Sequence, residues 1–202
     1  LIGSVWGFLE ATLGGLLHLS PLPIAGRIMA PIGFAILFWG MKNGLNTRQI
    51  FCVSVLAATF KFFDPFLFHM PFFHIRVINP ANAIIMQGLC FAVVSHIFKK
   101  LFASWQGTAL VAIPLYPVSW GLFCLISLQA FHNEPGALAA GVTGLMSYLA
   151  IGTALTVAAL SLARLWTVRA HYLDVARLSI PIRVGVTSIL VVLTFIARAV
   201  LG

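Results

Sequence analysis

TALVAIPLYPVSWGLFCLISLQAF, residues 108–131, runs for 24 positions without one Asp, Glu, Lys or Arg. A helix of that length rises about 36 Å at 1.5 Å per residue, enough to cross the roughly 30 Å of hydrocarbon in a bilayer. Comparable apolar runs recur at 2–18, 24–41, 50–68, 80–98, 137–163 and 180–201. Across the 202 residues, 61% are hydrophobic and 8% charged, too little polar surface to coat a water-soluble globule of this size. The pattern predicts an all-α, polytopic transmembrane helix bundle of about six or seven spans, with residues 1–202 forming a single domain and lipid as its solvent.

Prolines punctuate the runs. Pro21 and Pro23 break the first connection, Pro135-Gly136 separates the fifth span from the sixth, and Pro114 and Pro117 predict a kink inside the fifth. Pro80 is expected to open the fourth span as a helix-starting proline, with Asn79 a candidate N-cap before it.

The net charge of +8 does not point to nucleic acid, because the bases sit in the short connections between apolar runs and form no soluble basic face. Lys42, Arg48, Lys99, Lys100, Arg164, Arg169 and Arg177 fall in alternate connections, and the opposite ones carry chiefly Arg27 and Arg76. The positive-inside rule makes the first set cytoplasmic. It therefore predicts a cytoplasmic N-terminus; the membrane expected is a prokaryotic cytoplasmic one. Seven spans would place Gly202 outside; six would result if the last run, with Arg183 and Arg198, lies along the interface. The sequence opens at Leu1 with no basic leader and no small-residue cleavage site, so no cleaved signal is visible in it, and a short cytoplasmic tail ahead of Leu1 remains open. Cys52, Cys90 and Cys124 stand singly in apolar runs and encode neither a disulfide framework nor a zinc knuckle.

Charges within apolar spans are costly unless partnered. Glu10 lies near the middle of the first span, and Lys61 and Asp64 lie three residues apart on one face of the third. They are expected either to line a polar pocket or to form a structural ion pair, with Lys61 and Asp64 the favoured pair. Asn79, Asn82 and Gln87 carry polar positions into the fourth span, making Asn82 a further candidate ligand contact. The intervening stretch FFDPFLFHMPFFHIRVINP, residues 62–80, is aromatic and broken by proline, and is expected to form an outer lid or an interfacial aromatic belt. His18, His69, His74 and His132 fall at outer ends of spans. With Met70 and Glu134 nearby, His69 and His74 are candidate metal ligands, against the alternative of ordinary interfacial histidines. His96 and His171 are inner boundary residues. No catalytic constellation is recognisable, so binding rather than catalysis is expected.

Gly3, Gly7, Ala11 and Gly15 recur every four residues on one face of the first span. Such a face admits close approach of another helix, from this chain or from a partner subunit.

The opening GSVWGFLEATLGGLLH followed by PIAGRIMAPIGFAIL, with the later KFFDPF and VINPANAIIMQGLCF, resembles substrate-capture subunits (S components) of energy-coupling-factor transporters over roughly the first half of the chain. The resemblance implies a membrane subunit that holds a small molecule or metal ion in an outward-facing pocket. It also implies partner subunits, docked through Gly3, Gly7, Ala11 and Gly15, where glycine mostly replaces the family's alanine. Glu10, Lys61, Asp64 and Asn82 would then hold polar groups of the ligand. The competing expectation is a membrane anchor of a redox or photosynthetic complex, holding haem through histidines from two helices. A lipid-directed membrane enzyme is less favoured, since no paired acidic metal motif is present.

Overall fold

A computed structural model describes residues 1–18, 25–65, 71–131, 138, 141–169 and 186–194, with only the backbone of Gly15, Leu16, His18, Arg76, Val168 and Arg169. Six helices carry the fold: α1 (Ile2–His18), α2 (Ala25–Lys42), α3 (Thr47–Thr59), α4 (Ile75–Ile97), α5 (Trp105–Phe131) and α6 (Gly141–Arg169). Residues 186–194 are also helical, and no strand occurs among the described residues. Val77–Ile97, Trp105–Phe131 and Gly141–Thr167 are long and apolar enough to cross a membrane. Their apolar side chains extend well beyond the core: Leu110 and Leu125 on α5 are 60% and 56% exposed, Leu162 and Trp166 on α6 are 65% and 68% exposed. Surfaces of this kind fit a bilayer and not water, and the chain is a membrane protein.

Local signals set the turn between α2 and α3. Gly44 takes φ +88°, a left-handed conformation that favours glycine, and ends α2. The Leu45 amide returns to the Gly40 carbonyl at 3.1 Å and the Gly44 amide to Met41 at 3.1 Å, satisfying carbonyls that the helix end would otherwise orphan. Two residues later Asn46 starts α3 through a reciprocal cap: its side chain accepts from the Gln49 amide, and the Gln49 side chain accepts from the Asn46 amide, both at 3.0 Å.

The α4–α5 connection is equally tight. A 3₁₀ turn, Leu101–Ala103, leads to an extended Ser104 whose Oγ accepts from the Gly107 amide at 3.0 Å. Gly107 is required there because a Cβ would collide with the Leu101 carbonyl. Lys42 Nζ and Arg164 Nη1 both donate to the Phe102 carbonyl, at 2.9 and 2.7 Å. The end of α2, the α4–α5 turn and the end of α6 therefore meet at one end of the bundle, which is also the basic end. Arg164 Nη2 adds a bond to the Ala103 carbonyl at 2.6 Å, and the guanidinium lies 5.4 Å from the Trp105 ring centre.

α2 occupies the centre, packing on α1, α3, α4 and α6, while α5 lies between α4 and α6. Phe34, Phe38, Phe91 and Phe102 form a buried aromatic chain with ring centres 5.8 to 6.3 Å apart. In lipid, apolar area alone does not drive helices together, so close packing through small residues carries more of the fold. Gly88 on α4, which faces Ser54 on α3 with no room for a Cβ, is one such contact.

The start of α4 corrects the expectation for Pro80 and Asn79. The helix begins at Ile75, so both residues lie inside it and Asn79 is not its N-cap. The His74 carbonyl already accepts from Val77 and Ile78, at 2.9 and 3.1 Å. A proline little more than one turn into a helix removes a single ladder bond, and burial of Val77 and Ile78 holds the first turn in place. α5 begins at Trp105, three residues before its expected start, and continues through both Pro114 and Pro117. Of the last expected span, 180–201, only 186–194 lies within the described residues; Arg183 and Arg198 lie outside them.

Candidate functional site

Glu10 sits one helical turn after Trp6 on α1, and the indole Nε1 donates to its Oε1 at 3.4 Å. Both side chains are buried. After Thr59 the third helix tightens into a 3₁₀ turn, Phe60–Phe63, which carries Lys61 toward α1. Lys61 is 2% exposed and its Nζ donates to the Glu10 carbonyl at 3.0 Å. Asp64 follows, also buried, with its amide bonded to the Lys61 carbonyl.

Gly14 makes the space for this group. A Cβ there would lie 3.2 Å from Glu10 Oε2, 3.7 Å from Met29 Cγ and 4.0 Å from Lys61 Nζ. The carboxylate of α1, the ammonium that follows α3 and the Met29 side chain of α2 thus converge on one helix face. The polar path continues inward: Trp6 packs over Gly33, where it meets the amide of Gln87, which donates to the Ala30 carbonyl. A cation and a carboxylate held this way in an apolar bundle can grip a polar ligand, since strong unscreened charges reward a complementary group.

Asn82 turns elsewhere. Its amide nitrogen reaches the Phe123 carbonyl at 3.5 Å and Ser127 Oγ at 3.4 Å, linking α4 to α5. The structure thus brings Glu10 and Lys61 together, with Asp64 at the end of the same turn, and engages Asn82 with α5.

The small-residue face of α1 is used within the chain. A Cβ on Gly3 would lie 2.8 Å from the Val53 carbonyl oxygen, one on Gly7 would overlap the Phe60 ring, and Ala11 is fully buried. Gly3 and Gly7 therefore pack against α3 and the turn that follows it. Only the backbone of Gly15 is described.

His74 lies partly exposed just before α4, whereas His69, Met70, His132 and Glu134 lie outside the described residues. Among the described residues no three His, Cys, Asp or Glu side chains converge as a metal site.

A second polar group was not singled out from sequence. The Arg27 guanidinium lies 4.8 Å from the centre of the Tyr148 ring, and that ring stands 6.1 Å from Tyr116 and 5.6 Å from Trp120. The visible signal was two tyrosines and an arginine in apolar runs; what spacing could not give is the packing of α6 on α2 and α5. Comparison with family models, curated proteins and solved structures finds no match, so the functional reading rests on these contacts and on the sequence.

Proposed function

We infer that the chain is the substrate-capture subunit of an energy-coupling-factor type transporter, binding a small molecule or metal ion without covalent chemistry. The observation that carries this reading is the meeting of Lys61 with Glu10 in the buried interior of a membrane bundle. Spending two charges there is costly unless they serve binding or hold each other in place. In this reading α1, α2, α4, α5 and α6 cross the membrane, as does α3 together with the Phe60–Phe63 turn that continues it, residues 186–194 belong to a seventh apolar segment, and the ligand enters from the end opposite Lys42 and Arg164. Gly3 and Gly7 already serve the contact between α1 and α3, so partner assembly is tested on the intact complex. Purified under mild conditions from its own membrane, the chain is expected to bring down a membrane coupling subunit and ATPase subunits, and to release a small molecule or metal on denaturation. A chain that purifies alone and shows a haem band in its visible spectrum would favour the redox-anchor alternative.

Orientation follows the charges. The end that gathers Lys42, Lys99, Lys100 and Arg164 faces the cytoplasm, because moving basic loops across the membrane is disfavoured. In a background lacking Cys52, Cys90 and Cys124, single cysteines at positions 42 and 99 are expected to react with an impermeant maleimide only after the cells are opened. Labelling of either position in intact cells would invert the topology.

A further inference from the structure

Lys42 and Arg164 come from helices far apart in the chain, yet both donate to one oxygen, the Phe102 carbonyl. Two cations are thereby held less than two hydrogen-bond lengths apart, and their repulsion costs free energy unless an anion joins them. Their other contacts are uncharged: Arg164 donates to Thr108 Oγ1 at 3.3 Å and to the Ala103 carbonyl at 2.6 Å, and Lys42 Nζ lies 5.4 Å from the Phe38 ring centre. The carboxylates among the described residues, Glu10 and Asp64, belong to the α1–α3 group and not to this end. Both cationic side chains are only partly buried, and the bond from Arg164 to Ala103 lies at the surface. Lys42 keeps ammonium hydrogens beyond the one given to Phe102, and Arg164 Nη2 keeps one beyond that given to Ala103. Around the pair, Lys99 and Lys100 are exposed just before the Leu101–Ala103 turn. Trp105 is exposed beside the guanidinium, and Phe98 and Trp166 are exposed at the neighbouring ends of α4 and α6.

We propose that Lys42 and Arg164 form a headgroup site for an anionic phospholipid, whose phosphodiester accepts from Lys42 Nζ and Arg164 Nη2 while its acyl chains lie in the surrounding bilayer. A phosphodiester carries its charge on two free oxygens, so one group can bridge two cationic donors, and charge-assisted bonds of this kind are the stronger ones. A lipid anion is favoured over a soluble one because the pair stands among exposed tryptophan and phenylalanine at the end of apolar spans. Tryptophan is the side chain that settles at headgroup depth. Lys99 and Lys100 add the longer-range attraction of cations near an anionic surface, worth about fivefold in binding for each. The site is separate from Lys61 and Asp64, so its failure would leave the capture-subunit reading as it stands.

The full chain, purified in mild detergent and titrated with phosphatidylglycerol or with zwitterionic phosphatidylcholine, is read by native mass spectrometry. Phosphatidylglycerol is expected to be retained about tenfold more tightly than phosphatidylcholine. Lys42→Gln keeps a donor for the Phe102 carbonyl but removes the charge, and is expected to weaken phosphatidylglycerol by about tenfold or more, since a charge-assisted bond is lost with the attraction. Arg48→Gln removes an exposed cation from α3 outside the pair, and is expected to cost about fivefold or less. Asp174, in the connection after α6, lies outside the described residues; Asp174→Asn is expected to leave the affinity unchanged. Equal retention of the two lipids, or equal losses in Lys42→Gln and Arg48→Gln, would overturn the proposal by reducing the site to diffuse charge. Displacement of phosphatidylglycerol by millimolar inorganic phosphate would overturn it in favour of a soluble anion, and tighter binding in Asp174→Asn would make that carboxylate the resident anion instead. Arg164→Gln is expected to match Lys42→Gln; should it fail to fold, Lys42→Gln alone still decides.

Discussion

Lys61→Met is expected to destabilise the bundle by about 3 kcal/mol, the scale for removing one member of a buried charged group. The ammonium it deletes is 2% exposed, bonds the Glu10 carbonyl and stands on the same Gly14 face as the Glu10 carboxylate. Methionine fills much of the same volume but leaves the buried Glu10 and Asp64 carboxylates without that cation. Asp64→Asn added to Lys61→Met removes one of those charges, so the double variant is expected to regain part of the loss. Thermal unfolding of the two single variants and the double variant in one lipid composition measures this. A Lys61→Met midpoint equal to wild type would show that the cation does not hold α1 to the turn after α3.

A comparable loss, about 3 kcal/mol, is expected for Gly88→Ala, at the upper end of what overpacking a core costs. The added methyl would overlap Ser54 Oγ and Cβ on α3. Ser54 is fully buried and already bonds the Phe51 carbonyl at 2.7 Å, so it cannot swing aside without losing that bond. The remedy is specific. With Ser54→Gly in the same chain, the nearest remaining atom is the residue 54 Cα at 3.6 Å, an ordinary contact. Gly88→Ala with Ser54→Gly is therefore expected to recover most of the midpoint lost by Gly88→Ala alone. Failure of that rescue would mean that α3 and α4 do not meet at these two residues.

The three long spans were legible because apolar length is a one-dimensional property, and residues 108–131 carry it without reference to any neighbour. Helix boundaries were less so. The missing amide of Pro80 suits a helix start, but burial of Val77 and Ile78 lets α4 begin earlier and tolerate the proline. The Asn46–Gln49 cap has a spacing visible in the sequence, but it falls in the connection between the expected spans 24–41 and 50–68.

At the candidate site, the presence of Glu10, Lys61 and Asp64 in apolar runs signalled charges in need of partners, but not which partners. Spacing placed Lys61 and Asp64 on one face, whereas the bond from Lys61 crosses to the α1 backbone. The four-residue period drew attention to Gly3, Gly7, Ala11 and Gly15, and so past Gly14, the glycine that opens the space beside Glu10. Asn82 shows the same limit: its polarity was legible, but its partners on α5 depend on how α4 is turned. Arg27 and Tyr148 meet across α2 and α6, which are far apart in the chain, and no periodicity within either helix announces that contact.

The most direct test of the capture-subunit reading is the ligand content of the chain carrying both Lys61→Met and Asp64→Asn, purified in parallel with wild type and read by mass spectrometry of the small molecules and metals released on denaturation. The reading predicts that wild type releases one compound or ion in near-equal amount to protein, and that the folded double variant releases little or none. A folded double variant that retains the same ligand in the same amount would contradict it, leaving Lys61 and Asp64 as a structural element of the bundle.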